Sequence, residues 1–428
     1  MQLFSMRKIS VAIVGSGISG LSCGWLLSKN CDVTIFEKND YIGGHSNTVS
    51  INPKNCKDIL SVDTGFIVFN KLNYPNLVRF LEHLNIKTYN SDMSFSVSLK
   101  QLGIEYGGQN IKTIFAQKKN ITDPKFLLML KDILRFFLFV RSDINIYFDI
   151  SIDDYLNQKK YSEVFRNFFL YPMASSIWST SYRDIKDYPF VKFVEFFDNH
   201  GLLNFFSRPQ WKTVSGGSKE YINKILEQKR ISTLLGEEVL SFSKTKNSLI
   251  VKTNKRVKSF DHLVFANHSD QVYKILNLSN MKEKKFFKMI NFQKNIAYLH
   301  SDKNFLPNFK KIWSSWNYIR EKESNKGIML SYWMNNLQDL KTNIPIIVTL
   351  NPHKEPRREL TYKKIKYSHP VFNLETIEAQ KKISKLNSKK ENIWYCGAYL
   401  GNGFHEDGLV SGLKVAEKIS NERRPWKT

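Results

Sequence analysis

Near the end of the chain, "GNGFHEDGL" sets His405, Glu406 and Asp407 side by side between glycines. An imidazole next to two carboxylates could move a proton to or from a substrate. The apolar residues that follow have helical spacing, with Leu409, Leu413 and Ala416 on one face of a helix predicted over Gly408 to Ile419. Asp407 then reads as the cap of that helix. His405 and Glu406 remain as the candidate catalytic side chains, free to face a substrate. Trp178, His200, Tyr332 and Trp333 are candidate substrate contacts, with Trp313 and Tyr395 of the same kind. Each of these rings also has a core reading, because 14% of the chain is aromatic. No G-x-S-x-G elbow, H-E-x-x-H helix or P-loop appears. The four cysteines form no C-x-x-C pair, so no metal site is expected.

The elements that must position such residues are announced at the other end. In "ISVAIVGSGISGLSCGWLLSKNCDVTIFEKNDYIGGH", Ile9 to Val14 is a buried-strand run and Gly15, Gly17 and Gly20 fit G-x-G-x-x-G. A helix from about Ser19 to Lys29 follows, then a strand from Asp32 to Phe36 that ends at Glu37. An acid about twenty residues beyond the glycines completes a dinucleotide-binding fingerprint. Gly15 permits the turn, Gly17 admits a pyrophosphate, and Gly20 lets helix and strand pack. The helix start, with Ile18 and Ser19, offers N–H groups and a positive dipole end to phosphate. Glu37 can accept both ribose hydroxyls, and Lys38 follows on the cofactor side.

Five residues after Glu37 stand Gly43 and Gly44, followed by His45. This E-x5-G-G extension resembles FAD-binding flavoproteins of the amine oxidase and phytoene desaturase superfamily. "SVDTGFIVFN" (Ser61 to Asn70), "NHGLL", "WKTVSGGSKEYI" and "YCGAYLGNGFHEDGL" are similar to one branch. That branch comprises bacterial predicted FAD/NAD(P)-binding oxidoreductases associated with modified fatty acids, and the resemblance covers nearly the whole chain. It implies FAD as cofactor and hydride transfer from a substrate carbon to flavin N5. It places Gly65 on the strand leading beneath the flavin and Val239 at the adenine through its backbone. Gly397 turns the chain against the cofactor, and the backbone of Gly408 and Leu409 meets the flavin's N1–O2 edge. His45 stands where relatives often hold Arg and is grouped with the cofactor.

The implied fold is α/β, α+β overall: a Rossmann-like FAD-binding domain and a substrate domain of helices with an antiparallel sheet. The first comprises residues 1–70, 208–283 and 388–428; the second comprises 71–207 and 284–387. The chain has 428 residues, a formal net charge of +25 and a pI near 9.6. Such a balance suits nucleic acid, an anionic membrane surface or an acidic substrate. No long basic arm, zinc finger or RNA-binding fingerprint points to nucleic acid. The predicted function is an FAD-dependent dehydrogenase or desaturase acting on a lipid or fatty-acyl chain. The alternatives are a flavin amine oxidase on a small amine, for which no aromatic cage is identifiable, and an FAD-dependent double-bond isomerase.

The N-terminus lacks a cleavable signal pattern, and no apolar run of about eighteen residues predicts a membrane span. A cytoplasmic protein is expected, with peripheral contact to an anionic membrane as the added option. "FLLMLKDILRFFLFV" (Phe126 to Val140) reads as an amphipathic helix, with Lys131, Asp132 and Arg135 clustered on one side. Its expected fate is burial, and lying on a membrane surface is the alternative.

Overall fold

The computed structural model describes residues 8–54, 56, 58–178, 182–204, 209–321, 329–387 and 391–426. The expected boundaries at 207/208 and 387/388 lie outside these residues, as do the first seven positions of the chain. The fold is mixed α/β, with a parallel Rossmann-like sheet and a separate mixed sheet.

The parallel sheet has Ser10–Val14 at its centre, between Asp32–Glu37 and His262–Phe265; Ile231–Leu235 and Ile393–Tyr395 form the edges. Its central strands are apolar on both faces, one covered by helices and the other by helices together with a three-stranded meander. The helix Ile18–Leu27 joins the first two strands and is buried along its whole length. One side of it rests on the sheet and another on the final helix, His405–Ser420. Glycines allow that second contact: a Cβ on Gly412 would sit 2.1 Å from the Ser19 carbonyl oxygen.

The two strands of "RISTLLGEEVLSFSKT" follow each other closely but do not pair with each other. Ile231–Leu235 extends the parallel sheet, while Val239–Lys244 starts an antiparallel meander with Leu249–Thr253 and Val257–Phe260. Gly236, at φ +59°, turns the chain between them.

The second sheet has seven strands, in the order Thr361–Pro370, Phe292–His300, Ile347–Leu350, Met329–Trp333, Trp316–Arg320, Phe95–Leu99, Ile104–Gly107. It is not wholly antiparallel as expected: Trp316–Arg320 runs parallel to Phe95–Leu99, because these neighbours come from segments about 200 residues apart rather than from a hairpin. A small three-stranded sheet joins Phe69–Asn70 and Thr88–Ser91 to Trp211–Val214, across the expected 70/71 boundary.

Helices of the segment 111–199 pack an aromatic core on the seven-stranded sheet, with Tyr155 stacked on Phe190 at 4.0 Å between centroids. Ser151 caps the helix Ile152–Gln158 through a capping box with Asp154, as its spacing predicts. The helix Pro124–Asp143 differs from its expected form. Asp132 is buried and accepts from the Ser162 N–H at 2.9 Å, whereas Lys131 faces solvent. The three charges therefore do not share a side, and a face rich in leucine is exposed instead.

Candidate functional site

The glycine loop begins where the central strand ends. Gly15, at φ +103°, donates its N–H to the Phe36 carbonyl at 2.8 Å. A Cβ on Gly20 would stand 2.0 Å from the Gly15 carbonyl oxygen, so only glycine lets the helix start so close to the loop. A Cβ on Gly17 would meet nothing within 4 Å: this glycine borders open space. Gly43 bridges to Gly17, and its N–H donates to the Ser16 carbonyl at 3.1 Å. The two glycine pairs thus form one small-residue wall. No side chain caps the helix start at Gly17, which leaves the Ile18 and Ser19 turn available to an anion.

Glu37 is buried under this loop with both oxygens engaged. One accepts from the Ser16 N–H and hydroxyl at 3.0 and 2.7 Å. The other accepts from the Asn39 N–H and side-chain amide at 2.9 and 2.8 Å. It therefore braces the loop, and its acceptor positions are taken within the protein. The N–H groups of Gly236 and Glu237 bond to the Asn39 and Glu37 carbonyls, which brings the chain leading to buried Val239 beside the same strand end. Lys38 is exposed, but its charge is felt at His268.

Next to the glycines stands a cluster of imidazoles. His45, directly after the second glycine pair, stacks on Tyr367 at 4.8 Å. It lies 5.0 Å from His369 and 6.0 Å from His268, ring centre to ring centre. These rings come from three distant segments, and among the described residues no group of three His, Cys, Asp or Glu could hold a metal ion. All lie deep in the fold yet keep accessible surface, so they border an internal space. Burial lowers His45 to about 4 and His268 to about 3, the latter helped by His45 and Lys38, and lowers His369 well below its usual value. These imidazoles are neutral at physiological pH. The His45 Nε2 atom is buried and lacks a partner in the protein.

His405 joins the same wall. Its Nε2 lies 3.0 Å from the Ser46 hydroxyl and 2.9 Å from that of Tyr221, and these hydroxyls bond to each other. Its ring lies flat on Phe66, with centroids 3.7 Å apart and planes 7° apart. Burial, then His45, lowers His405 to about 3, and burial raises Tyr221, keeping its hydroxyl protonated.

The neighbours of His405 turn elsewhere, correcting two expectations. Glu406 accepts from the Asn76 N–H and side-chain amide at 2.9 and 2.8 Å, and from the Leu77 N–H at 2.9 Å. It caps the helix Pro75–His83, which has no capping side chain of its own, and so does not face a substrate. Asp407 is not the residue preceding the helix. The helix starts at His405, and Asp407 reaches back from its first turn to the Phe404 N–H at 2.9 Å. Burial raises Asp407 to about 6, opposed by the N–H groups of Phe404 and Asn402. Gly408 packs on the first helix, where a Cβ would come within 2.8 Å of Ile18, and Leu409 is buried with its carbonyl accepting from Ser22 at 3.2 Å. Gly397 donates its N–H to Ser411 at 3.1 Å. Gly65 lies against the His45 backbone, a Cβ there being 2.3 Å from the His45 carbonyl oxygen.

The remaining candidates are not gathered into this wall. Trp178 packs among Tyr188, Phe193 and Phe196 in the core. His200 bonds through Nδ1 to the Phe196 carbonyl at 2.8 Å and lies near Phe404, one residue before His405. Burial lowers it to about 4. Tyr332 and Trp333 are consecutive on one strand, so they point to opposite faces: Tyr332 meets Trp316 and Trp333 meets Trp313. Tyr395 stacks on Phe265 in the core of the parallel sheet. Sequence reasoning missed Ser46, Phe66, Tyr221, Tyr367 and His369. Tyr367 and His369 had one signal, their i, i+2 spacing on a strand.

The site offers two features that a dinucleotide uses, a glycine bordering open space and an uncapped helix start, and beside them the His45 Nε2 atom is buried without a protein partner. The chain has the fold of solved amine oxidases and of a putative protoporphyrinogen oxidase, with a Rossmann-like parallel sheet. Residues 13–84 match the family described as NAD(P)-binding Rossmann-like domain. No curated protein sequence matches the chain significantly. Among solved structures it is similar to a putative protoporphyrinogen oxidase from Exiguobacterium sp. 255-15, with 12% identity, a TM-score of 0.67 and coverage of 98% of this chain and 100% of that one. It is also similar to the CLA-producing fatty acid isomerase from P. acnes (13%, 0.67, 96% and 99%). Putrescine oxidase bound to putrescine is similar as well (13%, 0.66, 97% and 100%).

Proposed function

We propose that the protein is an FAD-dependent oxidoreductase that removes a hydride from a carbon of a lipid or fatty-acyl substrate. The observation that carries this reading is a glycine and backbone wall continued, from Gly44 to His45, by a cluster of neutral rings. Gly15, Gly17 and Gly44 would take the pyrophosphate against their backbone, with the helix start at Ile18 supplying N–H groups. Glu37 would take the ribose only by exchanging its bond to the Asn39 side-chain amide for one to a ribose hydroxyl. When bound, FAD supplies the hydride acceptor.

The chain's own residues orient and exclude water. His45, Tyr367 and His369 present ring faces and neutral nitrogens to the interior. His405 is held by Ser46 and Tyr221 against Phe66; with Nε2–H donating to these hydroxyls, the neutral imidazole would keep a lone pair at Nδ1 for the substrate proton. The two carboxylates beside it are sequestered by backbone N–H groups. No free acid of this cluster therefore faces the interior to pair with a cationic amine, which supports an acyl substrate over an amine.

An absorbance spectrum of the purified protein tests the cofactor, and oxidised-flavin bands are the expected result. Anaerobic mixing with fatty acids should bleach those bands. Bleaching by putrescine alone would overturn the acyl reading, and a product of unchanged mass would make the reaction an isomerisation.

A further inference from the structure

The exposed apolar surface is not scattered evenly. Nine of the nineteen exposed large apolar side chains among the described residues fall between Ile111 and Phe148. On the helix Pro124–Asp143, Leu127, Leu134 and Leu138 line up at i, i+7 and i+11, with Phe139 beside them. Leu138 is 67% exposed, and just beyond the helix Phe148 is 74% exposed. Monomeric proteins seldom leave such a contiguous apolar patch uncovered.

The charges of the same stretch have one sign. Lys112, Lys118, Lys119, Lys125 and Lys131 are exposed. The acids are occupied: Asp123 caps its own helix, and Asp132 and Asp143 are buried. Lys131 sits on the leucine ridge itself, where its stem can lie along apolar surface with its ammonium at a headgroup. No helix among the described residues is long and apolar enough to cross a membrane, so this face would lie along a surface rather than pass through it.

We propose that the face built by residues 111–148 docks the protein on an anionic lipid bilayer, with the leucines at the acyl boundary and the lysines on lipid phosphates. A second copy of the chain fits less well, because a symmetric contact centred on this ridge sets Lys131, near its middle, close to its own equivalent. The inference rests on the exposed face and stands whether or not flavin is bound.

Sedimentation with vesicles tests it, comparing phosphatidylcholine alone with phosphatidylcholine mixed with phosphatidylglycerol. The protein should bind the anionic vesicles, bind the neutral ones weakly, and release as salt rises. Leu134→Glu with Leu138→Glu should weaken binding at least about tenfold, since it removes buried apolar area and adds repulsion. Circular dichroism melting would show that this variant still folds. Lys118→Glu with Lys119→Glu, outside that helix, should also weaken binding. Absence of binding to anionic vesicles, or equal binding by folded variants, would overturn the proposal. So would loss of an oligomer in the leucine variant without any vesicle binding, which would assign the face to a second copy.

Discussion

The two walls of the site are built on opposite principles. The glycine wall is local: Gly15 to Gly20, Glu37 and Gly43–Gly44 lie within thirty residues, and they act through backbone and absent side chains. The imidazole wall is assembled from afar. His45, Tyr221, His268, His369 and His405 come from five segments, and their side chains do the contacting. A wall made of backbone is specified by what cannot be added to it. A wall made of side chains is specified by topology.

Substitutions can break that contrast. The largest effect is expected at Gly20→Ala, whose Cβ would collide with the Gly15 carbonyl. A loss of about 2–4 kcal/mol of stability should appear in denaturant unfolding, with or without cofactor. Gly17→Val is the matched control. It points into open space at φ −68°, so stability should change by less than about 1 kcal/mol. Flavin content should nevertheless collapse, and a Gly17→Val protein that keeps full flavin would refute the cradle.

On the other wall, His405→Ala should leave folding and flavin content intact while slowing anaerobic flavin reduction by about 10- to 100-fold. Unchanged reduction would remove His405 from the chemistry. Glu406→Gln should cost only about 1 kcal/mol through the cap of the helix Pro75–His83 and leave reduction unchanged. Adjacent residues would then be separated into chemistry and scaffold.

The smallest effect concerns pH. His45, His268 and His405 are lowered to about 4, 3 and 3 from an ordinary value near 6.5. At these three groups the unfolded chain binds more protons than the folded one below pH 6.5, so their contribution to stability is full above that value and falls as pH drops toward 4. His45→Gln and His268→Gln should each flatten this decline in a melting series run from pH 7 to pH 4.

How much was readable in advance follows the same division. The parallel sheet, the glycine loop and the acid at Glu37 were legible because each is a short-range pattern. His405 was singled out because glycines frame it. Its neighbours were misassigned because the groups that claim Glu406, at Asn76 and Leu77, lie about 330 residues away. Tyr367 and His369 carry no motif; the strand Thr361–Pro370 brings them to His45 by its place in the sheet. Trp333 was grouped with Tyr332, although alternation along a strand separates them. The helix Pro124–Asp143 is apolar on most of its circumference, so its pattern did not say which side the core would take.

The contact between the first helix and the last has a consequence for how the chain is made. Ser19 and Ser22 rest on Gly408, Leu409 and Gly412, and Ile393–Tyr395 supplies an edge of the sheet that Ser10–Val14 begins. A ribosome adds about 5–20 residues per second, so the roughly 400 residues between these partners take about 20–80 s to emerge. For that interval the glycine-loop helix has no lid and the sheet no second edge. The nascent protein therefore carries its oldest apolar surface unprotected until nearly its youngest residues arrive.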